Sequence, residues 1–179
     1  MYYYGKGVKK NYKKALELYV KSERHIQSGV PQFNIAQIYW YGRGVKKDKT
    51  KALKWYLKSA TEGDFARAQF NLGVIYDEGL GVKKNYKKAM NWYNKATIHN
   101  HAGAWNNLGS MAEKGQGMSV NNDLAFDLFL KAAKLGDLNA QYNVGNIYLQ
   151  KKNHPKAKYW FQKSANQGKK KAIEKLATL

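Results

Sequence analysis

The stretch Phe70–Ala96, FNLGVIYDEGLGVKKNYKKAMNWYNKA, decides how this chain folds. Ala68, Leu72 and Tyr76 recur every four residues, which places them on one face of a helix, helix A. Gly73 adjoins Leu72 and, lacking a side chain, lets another helix approach closely. Gly79 and Gly81 end that helix and supply the backbone freedom of a tight turn. Asn85 is the expected N-cap of a second helix, helix B. Ala89, Trp92, Tyr93 and Ala96 follow at i, i+3, i+4 and i+7, the buried stripe of an amphipathic helix. The small residues allow close packing, and Trp92 and Tyr93 fill the space between units.

The same signature returns along the whole chain. Glycine pairs fall at Gly5-x-Gly7, Gly42-x-Gly44, Gly79-x-Gly81 and Gly115-x-Gly117, with spacings of 37, 37 and 36. Ala15, Ala52, Ala89 and Ala125 keep those spacings, and Ala157 follows after 32. A period in the thirties marks a solenoid whose units bury their apolar faces only against neighbours.

The copies differ in ways that carry information. Tyr2 aligns with Tyr39 and Tyr76, so the chain is expected to start at the last turn of a helix A whose remainder is removed or naturally lacking. Ala36 stands where Gly73 does, and Pro31 sits where a helix start tolerates proline. Asn100 replaces the post-helix glycine expected at Gly63, Gly136 and Gly168, and asparagine is the next-best left-handed cap. Leu128-Phe129 replaces Trp-Tyr, and Met118 follows Gly117. Gly145 to Ala157 spans 12 residues rather than 16, so the fifth unit loses its glycine loop and Pro155 opens the helix. Ala172 and Leu176-Ala177 begin a sixth helix A, a capping helix behind a lysine-rich flank. The expected order is a remnant, a helix B, four full pairs and a cap.

Ala68, Leu72, Gly73, Tyr76, Gly79, Gly81, Val82, Ala89, Trp92, Tyr93, Lys95, Ala96 and Ala104 together resemble the Sel-one-like repeat family, a relative of the tetratricopeptide repeats. Ala140-Gln141-Tyr142-Asn143-Val144-Gly145 is close to the same family's helix A opening. The expected fold is all-α, a right-handed superhelical solenoid of antiparallel helix pairs forming a single domain over residues 1–179. Its repeats run approximately 1–30, 31–66, 67–102, 103–138 and 139–168, with a C-terminal capping helix at 169–179. The resemblance implies adaptor roles in bacterial envelope, secretion, signalling or host-interaction pathways. One such role is that of an immunity protein neutralising a secreted effector.

Charge narrows the partners. Thirty-two basic against 12 acidic residues give a net charge of +20, which favours acidic partners: proteins, nucleic acid or anionic lipid. A solvated, lysine-rich surface is the plain alternative. The arginines are only Arg24, Arg43 and Arg67, and forked arginine contacts are the usual tool for reading bases and phosphates. Nucleic acid therefore ranks behind protein. There is no cysteine, so disulfide and thiolate chemistry are excluded. No apolar run is long enough to span a bilayer. Met1-Tyr2-Tyr3-Tyr4-Gly5 has neither a basic n-region nor an apolar h-region, so no signal peptide is expected in this chain, and periplasm and cytoplasm both stay open.

Catalytic chemistry has no foothold. His25, His99, His101 and His154 lie in different units or two residues apart, without carboxylates at metal-ligand spacing. The glycine loops lack a full dinucleotide or P-loop pattern and recur once per unit, as structural turns do. Asp77-Glu78 has no second acid pair for general acid–base work. The expectation is a non-enzyme with no catalytic residue, cofactor or metal.

Binding is easier to place. Stacked helix pairs present a concave surface lined mainly by helix A. By resemblance to tetratricopeptide units, the groove residues are Phe33, Asn34, Gln37, Trp40 and Tyr41, then Phe70, Asn71, Val74, Asp77 and Glu78. Asn106, Asn107, Ser110, Glu113 and Lys114 follow, then Tyr142, Asn143, Asn146, Leu149 and Gln150. Asn34, Asn71, Asn107 and Asn143 form a ladder. Their amides either bond an extended peptide's backbone or tie a neighbouring helix in place. Trp40, Tyr41, Trp105 and Tyr142 vary between copies and are candidates for specificity. A second surface is basic: Lys9, Lys10, Lys13 and Lys14, then Lys46, Lys47, Lys49 and Lys51, then Lys83, Lys84, Lys87 and Lys88. Stacking aligns these into an edge, broken at Ser119–Asn122 and resumed at Lys151-Lys152. Lysines at a helix N-terminus oppose the macrodipole, so they do not serve helix stability. The function expected is a non-catalytic protein-binding scaffold using the groove, the basic edge or both. Binding of nucleic acid or anionic lipid through the lysines is the alternative.

Overall fold

A computed structural model describes residues 2–5, 7–23, 25 and 28–179; Arg24 lies outside them. The described residues form ten α-helices and no strand. They are α1 Tyr12–Ser22, α2 Val30–Tyr41, α3 Lys49–Thr61, α4 Ala66–Glu78, α5 Tyr86–Ile98, α6 Ala102–Lys114, α7 Asn122–Lys134, α8 Leu138–Gln150, α9 His154–Asn166 and α10 Lys170–Leu176. Helix α1 is the leading helix B, α2/α3 to α8/α9 are the pairs, and α10 is the final helix A. The architecture is an all-α solenoid of helix pairs. No described helix is long and apolar enough to cross a membrane.

Caps set the helix ends. Each helix B starts behind a side-chain N-cap: Asn11, Asp48, Asn85, Asn121 and Asn153 accept from the backbone N–H three residues on, at 2.8–3.2 Å. Gly42, Gly79 and Gly115 end α2, α4 and α6 in left-handed backbone, with φ of 68°, 71° and 66°. Asn100 takes the same conformation at φ 54° after α5. In the fifth unit, where the glycine loop is gone, Lys152 adopts it at φ 55°.

One turn departs from the sequence reading. After α3 the left-handed residue is Asp64, φ 43°, and not Gly63. Ser59 to Ala68 spans nine positions where Ala96 to Ala104 spans eight, so one extra residue displaces the turn. Gly63 serves close approach instead: a Cβ there would lie 2.2 Å from Gly29 Cα. The Ser59 hydroxyl donates to the Gly29 carbonyl at 2.6 Å and locks that contact.

The chain divides into two units, one ending at Trp92 and the other Tyr93–Leu179. In the first, Ala36, Ala52, Tyr56, Ala68, Leu72 and Ile75 form one buried cluster flanked by Trp40, Trp55 and Trp92. In the second, Ala112, Ala125, Phe129, Ala140 and Val144 do the same. The glycine beside the core aliphatic has a visible purpose there. A Cβ at Gly109 would lie 2.7 Å from the Phe129 ring, and one at Gly145 2.6 Å from the Phe161 ring. Both rings are fully buried. Each such burial stabilises by roughly 1.5–3 kcal/mol, and a methyl group in its path would forfeit part of it.

Candidate partner-binding site

The asparagine ladder lies where helix A meets the preceding helix B. In the N-terminal unit, Tyr56 of α3 is 2% exposed, and its hydroxyl accepts from Gln37 Nε2 at 2.7 Å and bonds the Asn71 side chain. Burial pushes the Tyr56 phenol well above the usual tyrosine range, and the two amide hydrogen bonds offset part of that. In the C-terminal unit, Asn107 Nδ2 donates to the Tyr93 hydroxyl at 2.9 Å. Asn71 and Asn107 are thus tied to buried tyrosines, the structural one of the two ladder readings. Asn34 is itself buried, at 7% exposure. The partner tyrosine was not picked out from the sequence. The signal was present: Tyr19, Tyr56 and Tyr93 each precede a ladder asparagine by 14 or 15 residues.

Asn143 breaks the series. Phe129 stands where the tyrosine would be, and Asn143 Nδ2 donates instead to Asn106 Oδ1 at 3.2 Å. Asn106 Nδ2 reaches Asn107 Oδ1 at 3.4 Å, so a run of amides ends on the Tyr93 hydroxyl.

Two recesses gather most of the remaining groove residues. In the N-terminal unit, Trp40, Tyr41, Asn71 and Val74 line a notch of about 160 Å³, with Tyr56, Ile75 and Leu80 completing it. In the C-terminal unit, Glu113, Asn143, Asn146, Leu149 and Gln150 line a cleft of about 420 Å³ together with Ile147 and Lys175. Lys175, three residues after Ala172, occupies the ladder position of α10. Other expected groove residues serve packing. Phe33 sets its ring against Tyr56 and Phe65, at 5.8 and 5.2 Å, and Tyr142 sets its ring 5.6 Å from Phe161. Phe70, Asp77 and Ser110 are half-buried, while Glu78 and Lys114 are exposed. Trp105 packs at the margin of the core under the Lys131 ammonium, 4.7 Å from its ring.

The basic edge is continuous within the N-terminal unit. A Cβ on Gly44 would touch Tyr12 and Lys13 at the start of α1, and one on Gly81 would touch Lys49 at the start of α3. Each glycine loop therefore seats on the previous helix B, and three lysine clusters become neighbours. Lys9, Lys10, Lys46, Lys47, Lys83, Lys84, Lys87 and Lys88 are all exposed. Lys14 and Lys51 pair with Glu17 and Asp48 at 3.5 and 3.7 Å, contacts open to solvent and worth little. Several cations rest on ring faces: Lys84 over Tyr86, Lys88 over Tyr76 and Lys51 over Tyr39, at 5.3–5.6 Å. Groove and edge meet at one place. Lys49 lies 5.1 Å over Trp40 and Arg43 4.7 Å over Tyr41, and Arg43 also donates to the Tyr3 hydroxyl.

Among the described residues no group of three or more His, Cys, Asp or Glu is placed to hold a metal ion. The Sel1 repeat family matches residues 1–24, 32–64, 66–101, 104–137 and 138–169. The chain belongs to the Sel1 repeat family. That repeat is a non-catalytic scaffold fold, and Sel1 repeat proteins mediate protein–protein interaction. A Sel1 repeat protein from Oxalobacter formigenes is 32% identical, with a TM-score of 0.92 over 99% of this chain and 74% of that one. The antigen c5321, described as protective and present in uropathogenic Escherichia coli strains, is 34% identical with a TM-score of 0.89. That match covers 99% of this chain and 38% of the antigen. The immunity protein Pa5087 from Pseudomonas aeruginosa is 26% identical, with a TM-score of 0.60 over 90% of this chain and 60% of that one. Among curated proteins, chitin synthase regulatory factor 4 of Schizosaccharomyces pombe is 38% identical over 63 residues, which are 35% of this chain and 10% of that protein.

Proposed function

We propose that this Sel1 repeat chain is a non-catalytic scaffold that holds one partner protein on its helix A face and steers it with the adjoining lysines. The observation that carries this reading is the junction at Trp40 and Tyr41. There a notch sized for a single apolar or aromatic side chain opens directly beside Arg43, Lys49 and the basic edge. Aromatic anchors at the centre with charge at the rim are the anatomy of an interaction hot spot. A partner that fills the notch and lays acidic side chains over the lysines satisfies both halves, and the net charge of +20 speeds its approach. Within this class we favour an immunity role, neutralising an effector, because the fold and some of the sequence are shared with the immunity protein Pa5087.

The test is affinity capture from the source organism at low salt. Wild type is compared with W40A/Y41A and with a charge reversal of Lys83, Lys84, Lys87 and Lys88. The expected outcome is a protein, an effector in the favoured case, whose recovery is lost with W40A/Y41A and weakened by charge reversal or salt. If charge reversal abolishes binding to RNA or anionic vesicles while W40A/Y41A leaves it intact and no protein is recovered, the scaffold reading fails. The edge then binds polyanions, with the steep salt dependence such contacts have.

A further inference from the structure

We infer that the cleft walled by α6, α8 and α10 is a recognition subsite for an extended peptide segment carrying a carboxylate side chain, and that Phe129 creates it. This rests on the protein-binding reading and deepens it.

In the preceding registers a buried tyrosine hydroxyl holds the ladder asparagine: Tyr56 holds Asn71, and Tyr93 holds Asn107. Phe129 removes that hydroxyl from the next register. Asn143 then turns its Nδ2 into the amide run through Asn106 and Asn107, each group donating towards Tyr93. A run with that polarity leaves the Asn143 carbonyl oxygen as its accepting end, on a half-buried residue lining the cleft. Asn146 stands one helical turn further along the same face, and its amide both donates and accepts. Two such groups match the alternating N–H and C=O of an extended backbone.

The next helix supplies the charge. Lys175 takes the ladder position of α10, so a cation stands where earlier registers have a neutral amide. Ile147 provides apolar wall, and Glu113 and Gln150 close the end nearer the glycine loops. The single cation selects one carboxylate, and Glu113 disfavours a second one at its end. The volume of about 420 Å³ lies inside the range of small-ligand pockets, roughly 300–1,000 Å³. A polynucleotide fits poorly, because the lining offers one cation and no aromatic platform for stacking bases.

The experiment is a titration of the ¹⁵N-labelled full chain, followed by backbone and side-chain amide resonances. Two probes are used, acetyl-Ala-Ala-Asp-Ala-Ala-amide and the same peptide with Asn replacing Asp. Saturable shifts of the Asn143 and Asn146 side-chain amides are expected, with the Asp peptide binding about fivefold tighter, the scale of one partly exposed charge pair. K175A, on the cap, removes the difference between the peptides. F129Y recaptures the Asn143 amide and weakens both peptides several-fold, with dispersed spectra showing that the variant is folded. Equal affinity for the two peptides, no saturable shift of Asn143 and Asn146, or unchanged binding by folded F129Y overturns the proposal. Shifts confined to Trp40–Val74 overturn the subsite while leaving the scaffold reading in place.

Discussion

Replacing Tyr56 with phenylalanine tests whether the asparagine ladder holds the solenoid together. The ring is fully enclosed, so Tyr56→Phe keeps the packing and deletes one oxygen. That oxygen bonds Gln37 at 2.7 Å and also the Asn71 side chain. Each bond contributes about 0.5–1.5 kcal/mol net. Gln37 and Asn71 are half-buried, so water can reach their freed amides, which pulls the expected sum down to about 1–2 kcal/mol. Asn71→Ala removes only one of the two bonds, because Gln37 still donates to the Tyr56 hydroxyl, and is expected to cost about 0.5–1.5 kcal/mol. The double variant isolates the pair, with an expected coupling of about 1 kcal/mol. Equilibrium urea unfolding followed by circular dichroism and tryptophan fluorescence gives the three free energies. A thermal scan should show the single variant melting about 2–8 °C lower. If Tyr56→Phe and Asn71→Ala both stay within about 0.3 kcal/mol of wild type and do not couple, the ladder is not structural. The peptide-binding reading of Asn71 would then return.

Alkaline pH offers an independent check on the same residue. Burial raises the Tyr56 phenol above its unfolded value near 10, so the folded state favours the neutral form. The resulting stability is whole below pH 10 and falls as pH climbs towards the folded value, by up to about 1.4 kcal/mol per unit. Unfolding midpoints of Tyr56→Phe should fall less steeply above pH 10 than those of wild type. Gly145→Ala drives a Cβ to 2.6 Å from the Phe161 ring, and an overpacking loss of about 1–3 kcal/mol is expected in a thermal melt. Gly136→Ala meets nothing within 4 Å, so only the left-handed backbone at φ 93° penalises it, and it should melt above Gly145→Ala. Ser59→Ala removes one of the two donors to the buried Gly29 carbonyl, the Phe33 N–H remaining at 3.0 Å, and should lower stability by about 0.5–1.5 kcal/mol, read from urea midpoints.

Much of the fold was legible because repetition supplies its own alignment. One N-cap at Asn85 and one left-handed glycine at Gly79 became a rule once the spacing was seen. The exceptions at Asn100 and Pro155 then read as local substitutions. The turn at Gly63 was misread for a matching reason. A one-residue insertion leaves the glycine in place while moving the positive φ to Asp64, and contact with Gly29 decides what that glycine is for. The groove was legible as a set of positions, but which of them face a partner was not. Phe33 and Tyr142 have the same chemical character as Trp40 and Tyr41. Trp40, although its ring meets Tyr56 at 6.0 Å, lines the notch together with Tyr41, whereas the Phe33 and Tyr142 rings meet Phe65 and Phe161 and line neither recess described above.

The sequence alone therefore determined the helices, their order and their caps, since these depend on spacing and on residues close in the chain. It also determined the basic edge, because lysines on a repeated loop need only stacking to become neighbours. Tertiary structure decided which groups the asparagines bond within the fold. An amide is equally suited to a ligand's backbone or to a buried hydroxyl, and it is the placement of Tyr56 and Tyr93 that gives Asn71 and Asn107 a hydroxyl to bond. The same geometry gives Phe129 its meaning: a missing hydroxyl deep in the core redirects the amide of Asn143 at the surface of a cleft.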